Sequence, residues 1–392
     1  MARYYTKVAR VHGLAMEYSL PYLVYFAFLL LLHGVYCTAK KREANLKKTR
    51  RNLDILVVFS FMIFFGLRGF IYTDCFQYYD FFRKSYVYEL SYLNGWYEPG
   101  YILCNQFIGL FTHNFWVYQF IWTGIDLLLL YAILRRECGE KFYLAIAFLI
   151  PLWTGNEMNL FRNAKAILIF FWALPYIRDQ KIVKYLISIF FASTFHITAL
   201  FFLPMYFFVN KRLLKLFVVF GVISIVFYFI GLSDVTSHFL SFGKMIGGRM
   251  DIKSVAYTTD VAANIFSFGT LYRLFLLSVA IYTYKRYSKI NIEVINISLI
   301  YCCVFLALSS ILVLRDRFAS MFVLGLICWL PNAFECFHSK SAAKMLTFVN
   351  ILFLFAYTFV QTNNPAAQYE NLLTGISTYS QAFSRVFSVV GH

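Results

Sequence analysis

The chain has 392 residues, of which 60% are hydrophobic and 14% are charged, and its net charge is +17. A soluble domain cannot bury that much apolar surface, since about a quarter of an ordinary globular domain is charged. Much of the positive charge lies in short segments between apolar runs, where cytoplasmic loops collect Lys and Arg. Composition therefore excludes a soluble domain and gives no support to nucleic-acid binding.

Apolar runs close to the length that crosses a bilayer recur from Tyr18 almost to the C-terminus. They predict an all-α polytopic integral membrane protein with about twelve transmembrane helices, forming one membrane-embedded unit over residues 1–392. The stretch Glu98–Phe111 is predicted to be re-entrant or interfacial. The predicted spans are 18–37, 53–72, 115–134, 142–154, 158–177, 182–195, 197–209, 213–231, 265–284, 293–313, 318–337 and 345–361.

The orientation follows from Lys and Arg. The loop Lys40–Arg51 carries seven basic residues and is predicted to be cytoplasmic. Alternation of the spans puts five more basic connections on that side, and the six together hold 21 of the 36 Lys and Arg residues. The five are 135–141, 178–184, 210–215, 285–289 and 338–344. The outer side receives the segment 1–17, the loops 73–114 and 232–264, and the tail 362–392.

Eight cysteines are scattered along the chain without CxxC pairs or His-rich tracts. They are interpreted as small apolar side chains inside helices. No zinc or redox site can be read from them. Since no DxD-like acidic pair lies in a predicted outer loop either, we expect no metal site and no cofactor.

Charged residues at the outer ends of the predicted helices are the first candidates for a functional site. An ionised side chain in the hydrocarbon region costs about 2.5 to 3.5 kcal/mol on insertion scales, so it usually lines a cavity or has a partner. Arg68 lies in the last turns of the second span and is followed by Asp74, and an ion pair between them or contact with lipid headgroups would explain Arg68 as well as a ligand would. Glu98 precedes Pro99, which is predicted to begin a helix, so helix capping is as good an explanation as chemistry.

Four cations fit a phosphate or diphosphate. Arg162 and Lys165 are three residues apart and share one face of a predicted helix, near an N-terminus whose amides favour anions. Arg315 and Arg317 are predicted to form an outer turn, and a guanidinium offers paired donors to phosphate oxygens. Arg273 is a weaker candidate for the same anion. Contact with lipid headgroups is the alternative for Arg162 and Lys165.

His196 lies between two apolar half-spans at the predicted outer side. An imidazole, with an unperturbed pKa of about 6.5, suits proton transfer near neutral pH, although a hydrogen-bonded packing histidine is an equal alternative. Tyr78, Trp96 and Tyr97 are candidates for stacking on sugar rings, while most of the other aromatic residues are interpreted as the interfacial belt.

These motifs, taken in order, resemble the EpsG family of Wzy-like polysaccharide polymerases over about residues 55 to 370. The resemblance departs from the expected pattern at Ile71-Tyr72, since a Gly is expected just before the Thr-Asp pair. The residues that carry it are Arg68, Gly69, Thr73, Asp74 and Tyr78; Glu98, Pro99, Gly100 and Tyr101; Arg162 to Ala166; Phe195, His196, Thr198 and Ala199; and Arg315 and Arg317.

The resemblance implies a metal-independent, inverting glycosyltransferase with a GT-C-like fold. It would join undecaprenyl-diphosphate-linked oligosaccharides into capsule, O-antigen or exopolysaccharide at the outer face of the bacterial inner membrane. Expected partners are that substrate, membrane lipids, a chain-length regulator and a flippase. In the mechanism that fits the residues, His196 is the base, with Asp74 or Glu98 as an alternative or orienting group. The diphosphate would be bound by Arg162, Lys165, Arg315, Arg317 and Arg68.

Two other classes stay open. A flippase or transporter of lipid-linked oligosaccharides would also carry intramembrane charges, but the charges gather on one predicted face and no repeated half-sequence is visible. Another membrane glycosyltransferase or acyltransferase is the second alternative. Enzymes of that kind often carry acidic pairs in the first outer loop, and this chain has only the separated Asp74 and Asp80 there.

Overall fold

The computed structural model describes residues 17–42, 45–85, 97–230, 267–284, 291–309, 312–337 and 339–390. These residues are mostly helical, with isolated β-bridges and no β-strand among them. The α-helices are α1 Leu20–Lys41, α2 Leu46–Phe61, α3 Asp74–Ser85, α4 Pro99–Gly109, α5 Phe115–Cys138, α6 Phe142–Met158, α7 Phe161–Trp172, α8 Leu174–Arg178, α9 Ile182–Ser193, α10 Met205–Phe208, α11 Leu214–Ile230, α12 Phe268–Thr283, α13 Ile292–Ala307, α14 Leu312–Ser320, α15 Val323–Trp329, α16 Lys340–Thr362 and α17 Tyr379–Val390.

Three stretches in the described residues are long and apolar enough to cross a membrane, namely α1, the 44-residue run Phe115–Met158 formed by α5 and α6, and α16. Six shorter apolar helical stretches accompany them. The all-helical class is therefore confirmed, and the many apolar helices fit a polytopic membrane protein. The number of twelve spans stays a prediction.

Two local predictions can be compared directly with the helices. The predicted start of a helix at Pro99 is confirmed by α4. This helix is about 16 Å long, about half the thickness of the hydrocarbon core. The predicted turn at Arg315–Arg317 is wrong, because both residues lie inside α14. The segment contains no Gly or Pro, and its Leu, Arg and Ala residues favour a continuous helix.

Residue contacts divide the chain into two compact units. The larger unit comprises Ala15–Phe207 and Asn350–His392, and the smaller unit includes the described residues of Phe208–Val349. The prediction of one membrane-embedded unit over the whole chain stays a prediction.

Helix α6 lies at the centre of the larger unit. Nearly every residue from Phe142 to Met158 is buried, which is expected of a helix that is hydrophobic on all sides. Helix α1 packs along it, and α5 and α7 pack against it from other directions. In the smaller unit, α13 has the same position, since it is buried on most sides and contacts α11, α12, α14 and α15.

A single π-helical turn, Met62–Gly66, follows α2. Such a turn leaves backbone carbonyls without their usual helical partners. Side chains from other segments supply the missing donors, and these bonds fix the C-terminal segment on the end of the predicted second span. The bonds are Asn371 Nδ2 to Ile63 O at 2.8 Å, Tyr369 Oη to Phe64 O at 2.9 Å and Gln119 Nε2 to Gly66 O at 3.3 Å. Burial raises the pKa of Tyr369 to about 12, so its hydroxyl remains a donor at neutral pH.

Candidate functional site

The start of α4 touches the end of α9 in the larger unit, and Gly100 makes this approach possible. A Cβ on Gly100 would lie 2.2 Å from Thr194 Oγ1 and 2.9 Å from Thr194 O. The Tyr101 N–H donates to the same carbonyl at 3.1 Å. The glycine of the Glu-Pro-Gly-Tyr motif therefore brings Glu98 next to the segment that carries His196.

Glu98 joins two of the predicted site residues. Its side chain makes no capping hydrogen bond to α4. Instead, Oε2 accepts from Nη1 of Arg162 in an ion pair, and Oε1 accepts from the backbone N–H of Ile197 at 3.3 Å. Both charged side chains are 19% exposed, so the pair lies at the edge of the unit rather than in its core. Helix capping alone does not describe Glu98.

Arg162 has aromatic contacts as well as its acid partner. Its Cζ lies 4.4 Å from the centre of the Tyr97 ring and 5.7 Å from that of Tyr101, distances typical of cation–π contacts. Its Nε has no hydrogen-bond partner in the described part of the chain. The guanidinium is thus held in place at the edge of the unit by Glu98 and the two rings, while its Nε is buried.

His196 belongs to a short hydrogen-bonded chain. Its Nδ1 lies 2.6 Å from Thr198 Oγ1 and 3.3 Å from the Thr198 backbone nitrogen. The Thr198 hydroxyl donates in turn to Asn163 Oδ1 at 3.1 Å. Asn163 directly follows Arg162 on α7, so the predicted base and the predicted anion-binding arginine are positioned by the same helix.

Lys165 has a different environment from Arg162. Its Nζ lies 2.5 Å from Asp126 Oδ2 on α5, and the two side chains are 3% and 0% exposed. The same Nζ lies 3.5 Å from the centre of the Phe161 ring. The lysine charge is therefore paired inside the unit, although Lys165 and Arg162 are only three residues apart.

Arg68 is also buried, with 3% of its surface exposed. Its guanidinium donates to the Phe65 carbonyl, to the Glu157 carbonyl at 3.0 Å and to Thr123 Oγ1 at 3.4 Å. The π turn supplies the first of these carbonyls, so Arg68 is anchored by backbone groups. Its charge helps to hold the end of α2 against α5 and α6.

Asp74 begins α3 beside an unusual backbone conformation. Tyr72 has a φ of +62°, in the left-handed region where a non-glycine residue costs about 1 to 2 kcal/mol. This is the place where the family pattern led us to expect a Gly. The Tyr72 N–H donates to Ala366 O at 2.8 Å, and the Asp74 N–H donates to Asn159 Oδ1 at 3.0 Å. These two hydrogen bonds hold the backbone turn before α3, although the residue at its left-handed position is a tyrosine and not a glycine.

The aromatic candidates have unequal exposure. Tyr78 is 6% exposed and packs against Phe161, with 5.4 Å between ring centres. Tyr97 is partly exposed beneath Arg162. Trp96 lies outside the described residues. Of these three, Tyr97 is the one whose described position fits contact with a substrate next to Arg162.

The late arginines form a separate group within the smaller unit. The Cζ atoms of Arg273 and Arg315 lie 4.4 Å and 4.6 Å from the centre of the same Phe305 ring. Arg315 also pairs with Asp316 at 2.7 Å, and Arg317 is exposed. Arg273, which was the weaker candidate in the sequence, is therefore brought together with Arg315.

Several polar residues that take part in these contacts were given no site role from the sequence. Asp126 is an acid inside the predicted span 115–134, so the cost of intramembrane charge was a signal that could have found it. Asn163 and Thr198 lie in segments that carry the family resemblance, but no role was assigned to them, because single Asn and Thr residues are common in helices and loops. Arg385 donates to Phe70 O at 3.0 Å and pairs with Glu370, a contact that depends entirely on how the C-terminal segment packs.

The comparisons with known proteins agree with the motifs. The model of the EpsG family matches residues 51–374, the main body of the chain. No curated protein and no solved structure matches the chain. The matched region contains all the charged and aromatic site candidates in both units, from Arg68 to Arg317. The chain therefore belongs to the EpsG family, a family of Wzy-like polymerases.

Proposed function

We propose that this protein joins oligosaccharide repeat units, each linked through diphosphate to undecaprenol, into a surface polysaccharide at the outer face of the bacterial inner membrane. Membership of the EpsG family supports the reaction class. The observation that carries the site assignment is the Glu98 carboxylate, which contacts both Arg162 and the Ile197 N–H next to His196. A cation for an anionic leaving group and a candidate base are thus connected through one side chain.

The proposed reaction is one displacement. The oxygen of an acceptor hydroxyl bonds to the anomeric carbon of the donor glycan while the bond from that carbon to the diphosphate oxygen breaks. Attack from the opposite side inverts the configuration, as expected for a GT-C-like enzyme. Negative charge grows on the leaving diphosphate, and a cation already in place stabilises it. Arg162 suits this role because its guanidinium is partly exposed at the edge of the unit.

The acceptor hydroxyl loses its proton to His196. Because the amide oxygen of Asn163 only accepts hydrogen bonds, the Thr198 hydroxyl points its proton towards it. In the tautomer that we propose, Nδ1–H donates to the Thr198 oxygen at 2.6 Å instead of accepting from the Thr198 N–H at 3.3 Å. This order of donors leaves Nε2 as the nitrogen that takes the proton, so Asn163 and Thr198 are positioning residues for the base.

The remaining candidates have supporting roles in this proposal. Lys165 and Arg68 are buried and paired within the larger unit, so their charges stabilise the arrangement around Arg162. Glu98 holds Arg162 until a diphosphate replaces it and is the alternative base, while Asp74 orients the acceptor sugar. Stacking on the sugars is assigned to Tyr97, Tyr78 and Trp96.

Donor and acceptor both carry a lipid diphosphate, so the reaction involves two anions. The smaller unit offers a second cationic group in Arg273 and Arg315, which share the Phe305 ring, together with the exposed Arg317. Arg273 is 1% exposed and donates to the Tyr301 hydroxyl, so we assign the diphosphate to Arg315 and Arg317. A flippase that delivers the lipid-linked units and a regulator of chain length are the expected protein partners.

The proposal is tested by reconstitution. The purified full-length protein in lipid vesicles, given undecaprenyl-diphosphate-linked repeat units, should produce a ladder of polymers that differ by one repeat. A flippase would move the substrate without a ladder, and an acyltransferase would change its mass by an acyl group. Either result would contradict the proposed function.

The same assay tests metal independence, which the lack of a DxD-like pair in the predicted outer loops led us to expect. Among the described residues, no group of three or more His, Cys, Asp and Glu side chains is close enough to hold a metal ion. An excess of EDTA should leave the ladder within about twofold of the untreated reaction. Strong loss of polymer that added Mg²⁺ or Mn²⁺ restores would overturn this part of the proposal.

Substitutions of the proposed base and of the residue that positions it should lower the polymerisation rate by different amounts. His196→Ala should lower the polymerisation rate by about 10² to 10⁴, the usual contribution of a general base. Asn163→Leu should lower it less, whereas Asn163→Asp keeps an acceptor for Thr198 and should retain most activity. Wild-type activity should fall towards acidic pH, because a protonated imidazole cannot accept a proton, and Asn163→Leu should change this profile.

The matched control is Ser193→Ala, which removes a nearby hydroxyl whose one bond within the described residues is to its own helix, at Phe190 O. It should leave both the rate and the pH profile unchanged. If His196→Ala polymerises normally, or if Asn163→Asp and Asn163→Leu are equally inactive with unchanged protein levels, the assigned base or its positioning is wrong.

A further inference from the structure

A groove with a volume of about 1340 Å³ runs along the larger unit between α2 and α5. Its walls are apolar, and many of the side chains that form them are exposed. Phe59 on α2 is 65% exposed and Leu128 on α5 is 72% exposed. Two helices therefore enclose a space that presents hydrocarbon-like walls to its surroundings.

One end of this groove is strongly basic. Its lining there includes Lys47, Lys48, Arg50 and Arg51, all of them exposed. The acid at the same end, Asp54, is already occupied by an ion pair with Arg135 and by the hydroxyls of Tyr131 and Tyr143 at 2.9 and 2.7 Å. Four cations at the mouth are thus not neutralised by Asp54, and they complement an anionic group.

The dimensions fit one lipid chain. From Lys47 to Phe61, α2 extends about 21 Å, which exceeds the roughly 15 Å of hydrocarbon in one leaflet. Gly124 forms part of the floor. A Cβ added there would meet Met62 Cε at 3.6 Å, an ordinary contact, so a larger side chain would occupy the groove rather than unfold its walls.

We propose that this groove is a binding site for an anionic phospholipid, with the headgroup phosphate on the Lys47–Arg51 cluster and an acyl chain between α2 and α5. Basic residues at a membrane surface attract anionic headgroups, and an apolar groove beside them adds selectivity for a lipid over a soluble anion. The cluster lies in the loop predicted to be cytoplasmic, so the lipid comes from that leaflet. This site is separate from the proposed active site and does not depend on its chemistry.

The test is native mass spectrometry of the full-length protein in detergent, with phosphatidylglycerol or phosphatidylcholine of identical chains as the probe. Wild type should retain one phosphatidylglycerol at least tenfold more tightly than phosphatidylcholine. The variant Lys47→Ala/Lys48→Ala/Arg50→Ala/Arg51→Ala should lose this preference. Gly124→Leu, with all four cations present, should bind phosphatidylglycerol at least tenfold more weakly.

The matched control removes four other exposed cations with predicted cytoplasmic positions, in Lys211→Ala/Arg212→Ala/Lys340→Ala/Lys344→Ala. It should bind phosphatidylglycerol like wild type. Equal effects of the two quadruple variants would show that only total charge matters and would overturn the proposed lipid site.

Two further outcomes would assign the groove differently. If Gly124→Leu abolishes a dimer and wild type shows no lipid preference, the groove binds a second copy of the chain instead. Inorganic phosphate at millimolar concentration should not displace the lipid, and displacement would overturn the lipid assignment.

Discussion

Arg162→Ala is expected to lower polymer formation by about 10² to 10³, the usual cost of removing one preorganised donor from a developing anion. The guanidinium is the partly exposed cation that Glu98 and Tyr97 hold beside the His196 segment. Arg162→Lys keeps the charge but loses the paired donors and should be intermediate. The measurement is the rate of ladder formation by purified protein, normalised to folded enzyme.

A variant of its partner, Glu98, distinguishes a structural role of Arg162 from a catalytic one. Loss of the arginine leaves Glu98 partly buried without its cation, which by itself destabilises the unit. The double variant Arg162→Ala/Glu98→Gln removes that charge and should recover the protein level without recovering polymer. Lys84→Ala, an exposed cation at the end of α3, is the control and should be active. Full activity of the double variant would contradict the assignment of Arg162 to the diphosphate.

The second large effect is expected on stability. Asp126→Ala breaks a pair whose side chains are 0% and 3% exposed, and it leaves the Lys165 ammonium buried without its partner. Breaking such a pair costs about 3 to 5 kcal/mol. The free energy of unfolding, measured by denaturant titration of the protein in detergent, should fall by that amount. The double variant Asp126→Leu/Lys165→Met should recover most of it, because both buried charges are then gone.

The ion pair between Lys181 and Asp179 provides the matched comparison. Its atoms are 2.6 Å apart, close to the 2.5 Å of the buried pair, but the side chains are 50% and 51% exposed, so water solvates each charge when the other is removed. Asp179→Ala should leave the unfolding midpoint unchanged. If Asp126→Ala is equally neutral, the Lys165 charge is not held by Asp126, and Lys165 is then available to bind a diphosphate as the sequence first suggested.

Some features of the site followed from the sequence because they depend on local rules. Pro99 fixes the first turn of a helix wherever that helix lies, so the start of α4 was predictable. The apolar runs likewise predicted a helical membrane protein, since backbone groups in lipid must be satisfied within a helix. The turn predicted at Arg315 was wrong because charged residues alone do not end a helix that lacks Gly and Pro.

The sequence by itself determined the membrane class, the family and the charged residues that are costly to bury. The tertiary structure decided which of them pair, because partners such as Asp126 and Lys165, or Glu98 and Arg162, are separated by 39 and 64 positions in the chain. Helical periodicity puts Arg162 and Lys165 on one face. Yet Lys165 pairs with an acid on α5, and Arg162 pairs with the acid that directly precedes α4. That difference arises from long-range packing, which local pattern does not encode, and it separates a buried structural cation from one at the edge of the proposed active site.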